Sequence, residues 1–151
     1  MEIIRDDPTS DEVSRLLQDH LAEMNEHSPP ECVHALSPDG LDAPDITFWT
    51  ARDKRRLMGC GALRQLSEDH GEIKSMKTSS QYLGRGVATA ILDHIIAEAR
   101  SRGYSRLSLE TGSGAAFEPA QALYIKSGFE YCGPFGDYPE NPFSRFMTRQ
   151  I

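Results

Sequence analysis

Apolar residues recur at helical spacing after residue 86, and this is the strongest periodic signal in the chain. The residues on this stripe and beside it are Val87, Ile91, Ile95 and Ala99, with Ala88, Leu92 and Ile96. Arg100, Arg102 and Gly103 follow them, which is typical of a helix C-terminus. The pattern therefore predicts an amphipathic helix over residues 87 to 103.

Two other segments have helical spacing. Residues 13 to 24 form an amphipathic pattern that Thr9 or Ser10 can cap, and residues 119 to 127 begin with a proline and end before Gly128;. Between the first helix and the strands, residues 28 to 44 are rich in Pro, Ser, Asp and Gly. This composition predicts a surface loop with at most one helical turn, around residues 31 to 36.

Short β-branched, aromatic and apolar runs predict the strands. They cover residues 2–5, 46–52, 57–66, 72–78, 106–111, 129–132 and 144–148;. The strand at 72–78, the helix and the strand at 106–111 form a crossover unit, so these two strands should be parallel. The N-terminus of the helix then lies at the C-terminal end of strand 72–78, where ligands of open α/β sheets bind.

Glycines 84 and 86 lie directly before this helix. The first amides of a helix have no partner within it, and the helix dipole adds roughly half a positive charge, so the turn suits a phosphate. A tight turn with no ligand is the alternative for an isolated Gly-x-Gly. The third glycine of a dinucleotide fingerprint is missing, and no Gly-Lys-Ser/Thr of a P-loop follows;.

Composition fits one soluble domain over residues 1–151, with 38% hydrophobic and 26% charged residues;. The 16 basic and 23 acidic side chains give a net charge of −7, which argues against nucleic acid or an anionic membrane as a partner;. We expect a cytoplasmic protein with reduced cysteines, because no signal peptide or membrane span is visible and the three cysteines are far apart;. No metal site is expected, since a Pro-Pro break prevents His20, His27 and His34 from sharing one face.

Two motifs in sequence order resemble the GCN5-related N-acetyltransferase (GNAT) family. They are Gly84-Arg85-Gly86-Val87-Ala88 at one helix and, about 35 residues later, Ala120-x-x-Leu123-Tyr124-x-x-x-Gly128-Phe129 at the next. The resemblance covers nearly the whole chain. It implies an α/β (α+β) fold, in which a mixed, mostly antiparallel sheet of six to seven strands is flanked by about four helices.

The resemblance implies acetyl-CoA as cosubstrate and no metal. The family loop reads Arg or Gln, two residues, Gly, one residue, then Gly or Ala; Gly86 and Ala88 match its end, and Leu83 replaces the Arg or Gln. Phe117 stands where an Asn is common. The expected coenzyme-binding residues are Met76, Lys77, Thr78, Leu83, Gly84, Arg85, Gly86, Val87, Ala88, Thr89 and Phe117.

Acetyl transfer to an amine calls for a base, an acid and an oxyanion donor. A lysine-like amine, with a pKa near 10.4, is neutral in only about one molecule in 10³ at pH 7, a handicap of roughly 4 to 5 kcal/mol. Glu72 and Glu110 are the candidate bases, and the resemblance favours Glu72, although a salt bridge of Glu72 with Lys74 is the structural alternative. Tyr124 matches the family tyrosine that protonates the thiolate, and amides of residues 76 to 78 are the expected oxyanion donors.

The resemblance therefore implies an N-acetyltransferase acting by direct attack in a ternary complex. The expected acceptor is a small or amino-acid-like amine, which Asp137, Tyr138 and Glu140 could receive; protein lysine or N-terminal acetylation is the alternative. A weakly catalytic coenzyme A sensor and another kind of nucleotide-binding domain also stay open. Family members often dimerise, and the sequence leaves a homodimer open.

Overall fold

One seven-stranded sheet runs through the whole of the computed structural model, which describes residues 1–151. Its strands are β1 (Glu2–Arg5), β2 (Ile46–Asp53), β3 (Arg56–Gln65), β4 (His70–Thr78), β5 (Arg106–Gly112), β6 (Glu130–Cys132) and β7 (Ser144–Gln150). They are ordered β1-β2-β3-β4-β5-β7-β6, and only β4 and β5 pair in parallel. This confirms the predicted mixed, mostly antiparallel sheet.

Four helices flank the sheet, as predicted. They are α1 (Asp11–His27), α2 (Pro38–Leu41), α3 (Val87–Ser101) and α4 (Glu118–Lys126). Glycine 103, with φ of +84°, follows the end of α3, which is where the sequence placed the helix C-terminus. No helix combines the length and the apolar character that crossing a membrane requires.

Two local predictions were wrong. The loop after α1 contains two helical segments, a 3₁₀ turn at Pro30–Cys32 and α2, instead of at most one turn at residues 31 to 36. Pro38 at the first position of α2 and the Ser37 hydroxyl, which accepts from the Gly40 amide at 3.1 Å, stabilise the second segment;. Ser10 precedes α1 but its side chain makes no capping hydrogen bond.

Apolar side chains cover both faces of the sheet. On one face α3 packs through Ile91, Leu92 and Ile95, all completely buried. On the other face α1 and α2 pack against β2 and β3 through a smaller cluster that includes Val13 and Leu41. Each fully buried side chain of this size contributes about 1.5 to 3 kcal/mol, so these two clusters fix the helices on the sheet.

The parallel strands separate at their C-terminal ends. The last pair between β4 and β5 is Ile73 with Leu109, although β4 continues to Thr78 and β5 to Gly112. In the same part of β4 the pairing with β3 shifts by one residue between Cys60 and Ala62, which is a β-bulge. The gap between these strands opens next to the N-termini of α3 and α4 and provides the space for a site.

Candidate active site

A cavity of about 640 Å³ occupies the gap between β4 and β5 and extends under the C-terminal half of α1. All three candidate catalytic residues line it: Glu72, Glu110 and Tyr124. So do the following candidate coenzyme-binding residues: Met76, Lys77, Thr78, Leu83, Gly84, Gly86, Val87, Ala88, Thr89 and Phe117. The fold therefore brings together residues that are more than 50 positions apart in the sequence.

The loop before α3 presents free backbone donors to this cavity. None of the amides from Leu83 to Thr89 donates a hydrogen bond within the chain. Gly84 and Gly86 have φ of +74° and +78°, in the left-handed region that glycine adopts without strain, and a Cβ at either would meet open space;. The turn therefore has the geometry of an anion site at a helix N-terminus.

Neither Leu83 nor Arg85 provides a side-chain donor to such a site. The Leu83 side chain is 66% exposed, so this residue offers its amide alone. Arg85 does not line the cavity; its guanidinium lies over the Tyr82 ring, 5.6 Å from the centroid. Backbone groups, and not side-chain cations, are thus the donors of the turn.

The bulge in β4 is a strained segment of the cavity wall. Ser75 has φ of +55°, which a residue with a Cβ adopts at a cost of roughly 1 to 2 kcal/mol;. The Ser75 hydroxyl is buried without a hydrogen-bond partner, and its carbonyl accepts from the Cys60 thiol at 3.3 Å. Strained backbone of this kind is concentrated at functional sites.

Tyr124 lies at the bottom of the cavity. Its side chain is 6% exposed, packs edge-to-face against Phe129 at 5.8 Å, and makes no hydrogen bond within the chain. Burial raises the pKa of this phenol above its ordinary value. The hydroxyl therefore stays protonated at neutral pH and can donate a proton.

Glu72 is held at one oxygen and free at the other. Oε2 accepts hydrogen bonds from Lys74 Nζ at 3.2 Å and from the Tyr138 hydroxyl at 2.5 Å, and Lys74 also donates to Tyr138 at 2.8 Å. Oε1 is buried and has no partner, in a residue that is only 1% exposed. Burial, and next the neighbouring Glu72 carboxylate, raise the pKa of the Tyr138 phenol above its ordinary value.

Glu110 is held by the loop that follows α1 and by β7. Its Oε2 accepts from the Ser144 hydroxyl at 2.8 Å and contacts His34 Nδ1 in a short hydrogen bond. The His34 ring also packs on Tyr138, with 4.9 Å between centroids. The two carboxylates are thus fixed by two irregular segments that meet above the sheet.

His20, His27 and His34 all line the cavity, although α1 ends at His27 and His34 lies in the loop after the Pro-Pro break. No group of three potential metal ligands is formed. Burial, and next the Lys77 ammonium, lower the pKa of His20 to about 4, so this imidazole is neutral at pH 7.

Phe117 forms part of the opposite wall. Its ring packs directly on Gly112, where an added Cβ would lie 2.2 Å from it, and it contacts His27 edge-on with centroids 6.2 Å apart. The loop residues Asp137 and Glu140 are exposed and do not line the cavity, whereas Tyr138 between them turns inward to Glu72.

Sequence reasoning did not single out Lys74, Ser75 or His34 as site residues, although it considered a salt bridge of Lys74 with Glu72, and the resemblance implied that residues 27–45, which include His34, border the acceptor site. Lys74 carried a signal, because its spacing of two from Glu72 on a strand places both side chains on one face. Ser75 carried none, since its conformation follows from the pairing shift with β3.

Comparison with known proteins gives consistent matches along the chain. Residues 13–129 match the model of the acetyltransferase (GNAT) family. The uncharacterized N-acetyltransferase YsnE of Bacillus subtilis is 54% identical over 151 residues, which cover 100% of both chains. The IAA acetyltransferase of Azospirillum brasilense is 37% identical over 150 residues, covering 99% of this chain and 97% of that protein.

Solved structures have the same fold. A GNAT family acetyltransferase from Elizabethkingia anophelis, with acetyl-CoA bound, superposes with a TM-score of 0.70 over 99% of this chain and 97% of that one, at 17% identity.

Proposed function

Because this chain belongs to the acetyltransferase (GNAT) family and is an acetyl-CoA-dependent N-acetyltransferase, we propose that it acetylates the primary amine of a small, amino-acid-like molecule by direct attack in a ternary complex. One observation carries the proposal: the unpaired amides, a protonated phenol and a carboxylate oxygen without a partner all belong to residues that line the same cavity. A single volume of about 640 Å³ can contain a thioester and a small amine together;.

Acetyl-CoA would bind through the backbone. The free amides from Leu83 to Thr89 suit its pyrophosphate, and the open edge of β4 at Met76 to Thr78 suits the amide groups of the pantetheine arm;. Phe117 would pack against the arm from the α4 side of the cavity. The thioester would then lie near the bulge, between Glu72 and Tyr124.

Glu72 is our candidate for the general base. Its buried Oε1 would accept a hydrogen bond from the incoming ammonium and then take one proton from it, which meets the handicap of roughly 4 to 5 kcal/mol for a lysine-like amine at pH 7;. Glu110 is the second candidate; His34 and Ser144 both bind its Oε2, so its Oε1 is also without a partner within the chain.

Tyr124 is our candidate for the general acid. The neutral amine attacks the thioester carbonyl, the carbon–sulfur bond breaks, and the Tyr124 hydroxyl gives its proton to the departing thiolate. The second proton of the nitrogen returns to the phenolate. The products are the amide, free coenzyme A and one proton, which leaves Glu72 for solvent.

Two features support a small acceptor. The loops carrying His34 and Tyr138 contact each other above Glu72, so the acceptor end of the cavity is enclosed. A relative named IAA acetyltransferase covers nearly the whole chain at 37% identity, and we take its name as support for a small molecule here.

The experiment is thiol release from acetyl-CoA with and without added amines, on wild type, Glu72→Gln and Glu140→Gln. Release that depends on the amine, falls about 10²-fold or more in Glu72→Gln and is unchanged in Glu140→Gln supports the proposal. Binding of coenzyme A without any amine-dependent release would identify a sensing module and overturn it.

A further inference from the structure

Every carboxylate that lines the cavity is hydrogen-bonded to a basic side chain. The pairs are Glu72 with Lys74, Glu23 with Lys77, and Glu110 with His34. Two of the three carboxylates are therefore offset by a lysine, although the chain as a whole has a net charge of −7. Such a wall does not favour an acceptor with several positive charges.

The pair of Glu72 and Lys74 has one unused hydrogen-bonding group on each partner. Glu72 Oε1 is buried and accepts nothing. Lys74 Nζ has three donors, of which Glu72 Oε2 and the Tyr138 hydroxyl engage two;. Glu72 is 1% exposed and Lys74 is 8% exposed, so bulk water does not supply the missing hydrogen bonds. Both residues line the cavity.

An unpartnered oxygen of a buried carboxylate is destabilising, so this arrangement is suited to a ligand that completes it;. The free acceptor and the free donor belong to an ion pair only 3.2 Å long. A matching ligand must present a donor and an acceptor equally close together and of opposite charge. An α-amino acid does so, because its ammonium and carboxylate are attached to the same carbon.

We propose that the acceptor is an α-amino acid, bound with its ammonium at Glu72 Oε1 and its carboxylate at Lys74 Nζ. This rests on the proposed function and names the substrate class for it. The Ser75 hydroxyl, also buried and unpartnered in the same wall, is a further donor for the carboxylate or for the thioester oxygen. Lys74 thus holds the acceptor while Glu72 takes its proton.

The charge pattern also defines which amines should be poor acceptors. An amino acid carboxamide keeps the ammonium but loses the charged contact with Lys74, so kcat/KM should fall about 10- to 100-fold. A polyamine would bring a second cation against Lys74 or Lys77, where like charges repel;. A lysine side chain in a protein has no carboxylate next to its ammonium.

The test compares acceptors on the wild-type chain at saturating acetyl-CoA, with thiol release as readout. The probes are the common L-amino acids, the α-carboxamides of the same amino acids, putrescine and spermidine. We expect at least one amino acid to exceed its own carboxamide at least about tenfold in kcat/KM, and to exceed both polyamines. Carboxamides or polyamines that react equally well overturn the assignment and leave the acetyltransferase function standing. No turnover with any amine overturns both.

Variants at Lys74 test the residue assignment. In Lys74→Met, the ratio of kcat/KM for an amino acid to kcat/KM for its carboxamide should be close to one. Lys74→Arg should keep a preference for the amino acid. The control Lys54→Met, in the exposed turn between β2 and β3, should have the wild-type ratio. A folded Lys74→Met with an unchanged ratio would show that another group binds the carboxylate. If Lys74→Met does not fold, because Glu72 is left as an unpaired buried charge, the wild-type comparison and Lys74→Arg decide.

Discussion

Replacing Tyr124 with phenylalanine tests the reaction chemistry most directly, because activity should fall while stability stays close to that of wild type. Tyr124 is 6% exposed, its hydroxyl makes no hydrogen bond within the chain and is not among the fully buried oxygens, and its ring packs against Phe129. Phenylalanine keeps the ring and removes only the oxygen. The perturbation is therefore confined to one polar group that faces the cavity.

The magnitudes follow from that environment. The hydroxyl is open to the cavity and has no partner within the chain to lose, so the free energy of unfolding of Tyr124→Phe should stay within about 1 kcal/mol of wild type;. The loss of the proton donor should lower kcat about 10²- to 10⁴-fold, equivalent to about 3 to 5 kcal/mol in the activation free energy. Affinity for coenzyme A should not change, since its proposed contacts are with the backbone amides of residues 83 to 89.

Three measurements check this prediction. They are urea unfolding at pH 7, calorimetric binding of coenzyme A, and amine-dependent thiol release. Burial raises the pKa of Tyr124 in the folded chain, so this phenol ionises first in the unfolded chain;. The stability of the wild type should therefore fall as pH rises above about 10, and Tyr124→Phe should lose less stability over the same pH range. A variant with wild-type kcat would refute Tyr124 as the acid, and a large loss of stability would refute the absence of a partner.

Three other predictions concern different parts of the site. The pKa of His20 is about 4 in the folded chain against 6.5 in the unfolded chain, so between these pH values only the unfolded chain binds the extra proton;. We therefore expect the free energy of unfolding to fall by about 3 kcal/mol as pH falls from 6.5 to 4;. In His20→Gln, the free energy measured by urea unfolding should depend less on pH. Gly86→Val should weaken coenzyme A binding at least about tenfold by calorimetry, because φ of Gly86 is +78° and a side chain would enter the turn proposed to bind phosphate;. The control is Gly103→Val, which has a similar φ of +84° but lies outside the cavity and should bind coenzyme A normally. Cys60, whose pKa burial raises to about 12, should resist thiol reagents in the folded protein, whereas labelling of Cys60 as fast as Cys32 would contradict its burial;.

Features that depend on neighbours in the sequence were predicted well. The apolar stripe from Val87 to Ala99 fixes α3, and the glycines before it determine the open turn, because helix periodicity and left-handed backbone conformations are local properties;. The order of strands around α3 was enough to predict that β4 and β5 are parallel;. Tyr124 was predicted through a motif and not through its surroundings.

Contacts between distant segments were decided by the tertiary structure alone. Tyr138 contacts Glu72, 66 residues away in the sequence, and His34 contacts Glu110, 76 residues away. Both come from loops whose composition predicts that they lie on the surface but not where their side chains point. The positive φ of Ser75 follows from one extra residue in β4 relative to β3, which no local pattern records. The sequence by itself therefore determined the elements and the open glycine turn before α3, since these follow from local sterics and periodicity. Only the folded chain decided which oxygen of Glu72 remains without a partner, because that depends on where loops far apart in the sequence place their side chains.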